Sequence, residues 1–155
     1  FCEEITRMSD TNLHIVRRLL EDVWTEGNLS LLPELIADNA VSHPMPQLGP
    51  MHGPEQYRHF IAVLKGAFHH MQFSIEDQFA CGDKVATRWV SRVADDSGDA
   101  RQHNQTGEEL IVDGTTITHH DASGRIIAEW ATWDTGNLLQ SAAAPRVLSQ
   151  LSLKA

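Results

Sequence analysis

Between Met71 and Ala94 the chain reads MQFSIEDQFACGDKVATRWVSRVA, and its period is two. Met71, Phe73 and Ile75 alternate with polar neighbours, Gly82-Asp83 interrupts, and Val85, Thr87, Trp89 and Val93 resume the alternation. An extended chain with every second side chain apolar buries one face and wets the other. Gly-Asp between two such runs is hairpin chemistry, so two antiparallel strands are predicted. Downstream, ADDSGDARQHNQTG is a polar connection and EELIVDGTTITHH supplies further strand material, broken at Asp113-Gly114. Asp121-Ala-Ser-Gly124 then turns the chain into the apolar run RIIAEWATWD.

Upstream the period is different. Leu13, Val16, Leu20 and Val23, widened by Leu19 and Trp24, recur at helical spacing behind a Ser9/Asp10/Thr11 cap candidate, and Gly27-Asn28 stops them. A short second helix is predicted over 31–36, with Pro33 tolerated in its first turn. SHPMPQLGPMHGP reads as a loop. Gly53-Pro54-Glu55 reopens a helix whose buried stripe is Tyr57, Phe60, Ile61 and Leu64. Helices first and strands afterwards make an α+β pattern, with the helices packed on one face of a curved sheet. A bent sheet under helices leaves a cone, and a cone lined by tryptophan is a small-molecule pocket.

Composition narrows the function classes. The chain has 155 residues, 41% hydrophobic, which suits one domain with a real core. That domain is expected over 9–140, with 1–8 an upstream remnant or disordered N-terminus and 141–155 an irregular or short helical tail. Twenty-one acidic against 12 basic residues give a formal net charge of -9, which disfavours nucleic acid as a partner. Two cysteines without a C-x-x-C pair suggest neither a disulfide framework nor a cysteine zinc site, and a cytoplasmic location fits. No run of about 18 apolar residues is present to span a membrane. His69-His70 resembles a metal pair, but neighbours on a strand face opposite ways, and no metal site is predicted.

Several segments together carry a family resemblance. They are Gly53-Pro-Glu-Gln-Tyr57, Phe68-His-His-Met-Gln-Phe73-Ser-Ile-Glu-Asp77, Gly82-Asp-Lys-Val-Ala-Thr-Arg-Trp89, Thr106-Gly107, Gly124-Arg-Ile-Ile-Ala-Glu-Trp130 and Asp134. In order and spacing the chain resembles the SnoaL-like polyketide cyclases of the nuclear transport factor 2-like (NTF2-like) superfamily. The resemblance implies an α+β NTF2-like cone, a homodimer or homotetramer, and closure of a polycarbonyl ring by intramolecular aldol condensation without metal or organic cofactor. It further implies an aspartate late in the last long strand as acid/base, assisted by a histidine on the preceding strand. Asp134 matches the first position, and His119 and His120 both match the second.

Strand parity bears on that choice. Uninterrupted alternation puts Ile126, Ala128, Trp130, Thr132 and Asp134 on one face and Ile127, Glu129, Ala131 and Trp133 on the other. A hairpin loop over 121–124 puts His119 on the Asp134 face, whereas a loop one residue shorter selects His120. In a dry pocket of tryptophans, with Trp89 and Trp130 as walls, the pKa of an aspartate rises toward the working pH, as acid/base work on a carbonyl compound requires. A histidine would stabilise the developing enolate. His43 is expected at the cavity mouth, and Asp77 on the face of Phe73 and Ile75 unless a bulge intervenes.

Other readings stand beside these. Asp134 before Thr135-Gly136 is also ordinary turn chemistry, and paired histidines beside a turn are also ordinary surface residues. The segment from Ser91 to Gln105 departs from the family pattern, with Gln105 where a proline is common. Related cones host hydroxylation, isomerisation or dehydration, and epoxide hydrolysis, and a non-catalytic binding module is a further alternative. The expected partner in each case is a small hydrophobic or aromatic molecule.

Overall fold

A computed structural model describes residues 2–45, 48–94, 109–136 and 144–152. Helix α1 (Cys2–Arg18) runs into a π-helical segment, Leu19–Thr25; a 3-10 turn, Leu29–Leu31, then leads into the single turn α2 (Leu32–Leu35). Strands β1 (Ile36–His43) and β2 (Met51–His52) precede α3 (Gly53–Ala67). The long strands β3 (His69–Cys81), β4 (Lys84–Ala94), β5 (Glu109–His120) and β6 (Ile126–Trp133) follow, and α4 (Ala144–Ser152) packs on α3 through buried Val147. The six strands form one sheet in the order β2-β1-β6-β5-β4-β3, antiparallel except where β1 runs parallel to β6. The fold is the expected α+β cone, with helices on the inner face of a curved sheet.

The core fills the space between helices and sheet. Val16, Leu19, Leu20, Val23 and Trp24 descend from the first helix, and Tyr57, Phe60, Ile61 and Leu64 from α3. They meet Val85, Trp89, Val93, Val112 and Ile126 of the sheet. Asn12, fully buried, donates from Nδ2 to the Gly82 carbonyl and so ties α1 to the β3–β4 turn.

Four local expectations are corrected. Helix α1 begins at Cys2, so Ser9, Asp10 and Thr11 lie inside it and none of them caps it. The second helix ends at Leu35, and Ile36–His43 is a strand that the sequence reading did not find. Its register shifts between Ile36 and Val41, which spoils the alternation that announces a strand. His43 is therefore a strand residue and not part of the proline-rich loop.

The fourth concerns Asp113-Gly114, where β5 runs straight through. Gly114 pairs with Trp89 on β4, and a Cβ there would lie within the van der Waals shell of the Trp89 indole. The glycine makes room for a ring laid flat across its strand; it does not turn the chain.

The outer face of the sheet carries an apolar row. Phe79 pairs with Ala86, Ala86 with Ile117, Ile117 with Trp130, and Trp130 with His43, so one line crosses five strands. Phe79, Ile117 and Trp130 are 66%, 45% and 44% exposed.

Candidate active site

One break in register decides which side chains of β6 face inward. His119 pairs with Ala128 and His120 with Ile126, which leaves Ile127 as an extra, bulged residue. Below the bulge Ile126 is inward; above it the inward set becomes Glu129, Ala131 and Trp133, opposite Thr118, Thr116 and Gly114. Uninterrupted alternation had grouped Ile126 with Trp130 and Asp134. The bulge separates them and turns Glu129 into the cone.

The hollow there measures about 690 Å³ with its open mouth included. Trp24, Tyr57, Phe60, Phe73, Trp89 and Trp133 supply most of its aromatic wall. The π-helical segment contributes Leu19, Leu20 and Trp24. Its last turn is held by Lys65, whose Nζ donates to the carbonyls of Trp24 and Thr25, and by Thr25, whose Oγ1 accepts from the Phe73 amide at 3.0 Å. At the mouth, Trp133 Nε1 donates to the Pro44 carbonyl at 2.6 Å.

Glu129 is the acidic residue in this lining and is only 5% exposed. Trp24 Nε1 donates to the Tyr57 hydroxyl at 3.3 Å, and that hydroxyl donates to Glu129 Oε1 at 3.2 Å. Ser42 is its neighbour on β1. Oε2 has no partner among the described residues. Burial raises the Glu129 pKa from 4.5 to about 7, against the opposing pull of the Tyr57 and Ser42 hydroxyls. Tyr57, buried beside that carboxylate, is pushed well above 10 and stays a hydrogen-bond donor.

That shift has a consequence for stability. Between pH 4.5 and 7 the folded chain holds a proton on Glu129 that the unfolded chain has released, so stability falls as pH rises through that window. The loss from this group is about 3 kcal/mol. In denaturant titrations at pH 4.5 and pH 8, the Glu129→Gln variant should gain about that much on the wild type. Parallel profiles for the two proteins would contradict the shift.

The residues expected from the sequence are dispersed. Trp89 lines the hollow, and its Nε1 donates to Thr116 Oγ1 at 2.9 Å. Trp130 is on the outer face, where His43 stacks on it at 5.6 Å and His119 leans against it at 5.0 Å. Neither histidine is in the lining. Asp77 is also outward and exposed, opposite Arg88, because a bulge falls between Ile75 and Asp77.

Asp134 lies beyond the end of β6, exposed, and its Oδ1 accepts from the Gly136 amide at 2.9 Å. The turn reading of Asp134-Thr-Gly describes this geometry. His120 is buried beneath the cavity, with Nδ1 2.7 Å from the Gly124 carbonyl and Nε2 2.8 Å from Thr118 Oγ1. The carbonyl requires a hydrogen on Nδ1, so Nε2 accepts from Thr118 and no N–H is left for a substrate. Burial lowers the His120 pKa, which keeps this neutral form.

The sequence reading had set Glu129 on the face opposite Asp134 and passed over it. Its signal was an acid inside an apolar strand, where an unpaired charge is costly. Among the described residues, no group of three or more His, Cys, Asp or Glu is placed to hold a metal ion.

The model of the SnoaL-like polyketide cyclase family matches residues 14–142. A SnoaL-like polyketide cyclase candidate from a Jannaschia species superposes with a TM-score of 0.73 at 22% identity, over 89% of this chain and 95% of that one. IdmH of Streptomyces antibioticus, a candidate polyketide cyclase, gives 0.68 at 24% identity, over 91% and 98%. An epoxide hydrolase of M. tuberculosis gives 0.65 at 13% identity, over 95% and 98%. At these identities the likeness is one of fold. No curated protein matches by sequence.

Proposed function

This chain belongs to the SnoaL-like polyketide cyclase family, and from that premise we propose that it is a cytoplasmic acid/base enzyme closing a ring in an uncharged polycarbonyl compound, with Glu129 as its proton carrier. The observation that carries this reading is Glu129 Oε2, a buried carboxyl oxygen without a hydrogen-bond partner among the described residues, on a side chain that lines an aromatic hollow. A proton carrier needs that oxygen free.

The chemistry follows from the positions. Ionised Glu129 takes a proton from the carbon between two carbonyl groups and leaves an enolate. The enolate carbon attacks a further carbonyl of the same molecule, and the new alkoxide recovers the proton from Glu129, so one carboxyl serves as base and then acid. A pKa near 7 suits both halves of that cycle. The Tyr57 hydroxyl, itself accepting from Trp24, fixes the carboxyl through Oε1. Thr116 accepts from Trp89, so its own hydrogen remains to be given to the enolate oxygen. Among the described lining residues there is no lysine or arginine, which favours an uncharged substrate. The test is the pH dependence of kcat/KM, which should rise with pH and reach half its plateau near 7. A limb near pH 4.5 would contradict it.

We assign the expected self-association to the outer apolar row. A second copy laid on Phe79, Ile117 and Trp130 would cover them. Light scattering should then find a dimer or larger assembly for the wild type and a monomer for Ile117→Lys. A wild type that is monomeric at tens of micromolar would remove the assignment.

A further inference from the structure

Glu129 is not the cavity's only orphan. Ser91 is 1% exposed and lines the same hollow, and its Oγ has no hydrogen-bond partner among the described residues. A buried hydroxyl left without a partner is unfavourable, and native chains rarely leave one so without cause. The acid/base cycle does not use it.

Its position relative to Glu129 is informative. Ser91 stands in a row across the sheet with Phe73 and Val112, whereas Glu129 stands in a row with Thr118 and Ser42. From Val112 to Thr118 is about 20 Å measured along β5, and less in a straight line across the concave face. Between the two rows lies the Trp89 indole, held flat over Gly114 by its bond to Thr116, with the Phe73 ring 5.0 Å from it. The two side chains with unpartnered polar atoms therefore stand toward opposite ends of the hollow, with an aromatic plate between them.

We propose that Ser91 is a distal anchor. Its hydroxyl hydrogen-bonds a hydroxyl or carbonyl at one end of an elongated flat ligand, whose other end lies at Glu129. Trp89 supplies the stacking surface that keeps such a ligand in plane. Ser91 thereby selects ligands by the polar group they carry at the end remote from Glu129. The inference rests on this hollow being the ligand site, but not on the chemistry assigned to Glu129.

Affinity can be read without turnover, because Trp24, Trp89 and Trp133 line the hollow and report occupancy by their fluorescence. The probes are anthraflavic acid, a flat tricyclic diketone with a hydroxyl at each end, and anthraquinone, the same skeleton without them. Ser91→Ala should weaken anthraflavic acid about five- to tenfold, the worth of one hydrogen bond, and leave anthraquinone unchanged. Equal effects on both compounds, no effect on either, or no binding of either by the wild type would overturn the proposal. If Ser91→Ala behaves as expected while Glu129→Gln keeps full turnover, the anchor stands and the acid/base assignment falls.

Discussion

Replacement of Glu129 by glutamine will reduce turnover by at least about 100-fold and leave the protein folded, because a positioned acid/base contributes roughly that much or more. Glutamine has the same shape, and its carbonyl can still accept from the Tyr57 hydroxyl that now meets Oε1. What it lacks is a proton to take and return. The matched comparison is Asp134→Asn, which removes a carboxylate that is exposed and engaged with the Gly136 amide. That variant should retain activity within about twofold, as surface changes away from a site usually do. Circular dichroism should show both folded. Loss of activity in Asp134→Asn with retention in Glu129→Gln would reverse the assignment.

The second large effect is on stability. In Gly114→Ala the new methyl group would overlap Cζ2, Cη2 and Cε2 of Trp89, which is itself 5% exposed and walled in. The ring has to move off the strand, and moving it breaks the bond from Nε1 to Thr116. Overpacking of this kind and a stranded indole N–H each contribute about 1–3 kcal/mol. We expect a loss of about 3 kcal/mol, or roughly 10 °C in Tm for a chain of this size. A Tm within about 2 °C of the wild type would mean that Trp89 has another place to go. The expected change is large because Gly114 is required for space and not for backbone freedom.

How far the sequence led depended on where alternation survived. It was intact in β3 up to Ile75 and throughout β4, and there the strands, the hairpin and the inward Trp89 were all legible. It failed wherever one extra residue entered. The shift between Ile36 and Val41 hid β1, the bulge before Asp77 sent that residue outward, and Ile127 reversed the parity of the last strand.

That last bulge explains why the candidate site moved from Asp134, His119 and Trp130 to Glu129, Thr116 and Tyr57. A bulge has no strict composition in sequence, and a single one flips every side chain beyond it. Tyr57 was legible as a buried helix residue, but its bond to Glu129 spans 72 positions and depends on how α3 crosses the sheet. Nor does the composition reveal which buried atoms lack partners, so Ser91 carried no signal at all.

Titration of the Glu129 carboxyl itself would test the central claim, that the cone keeps a carboxyl protonated until near neutrality. Carbon-13 NMR of carboxyl-labelled glutamate, with the resonance assigned by its absence from Glu129→Gln, reads that ionisation directly. The structure predicts a midpoint near 7, well above the ordinary 4.5 of a glutamate. A midpoint at 4.5 would mean that water reaches Oε2, and Glu129 would then be no better a proton carrier than any surface acid.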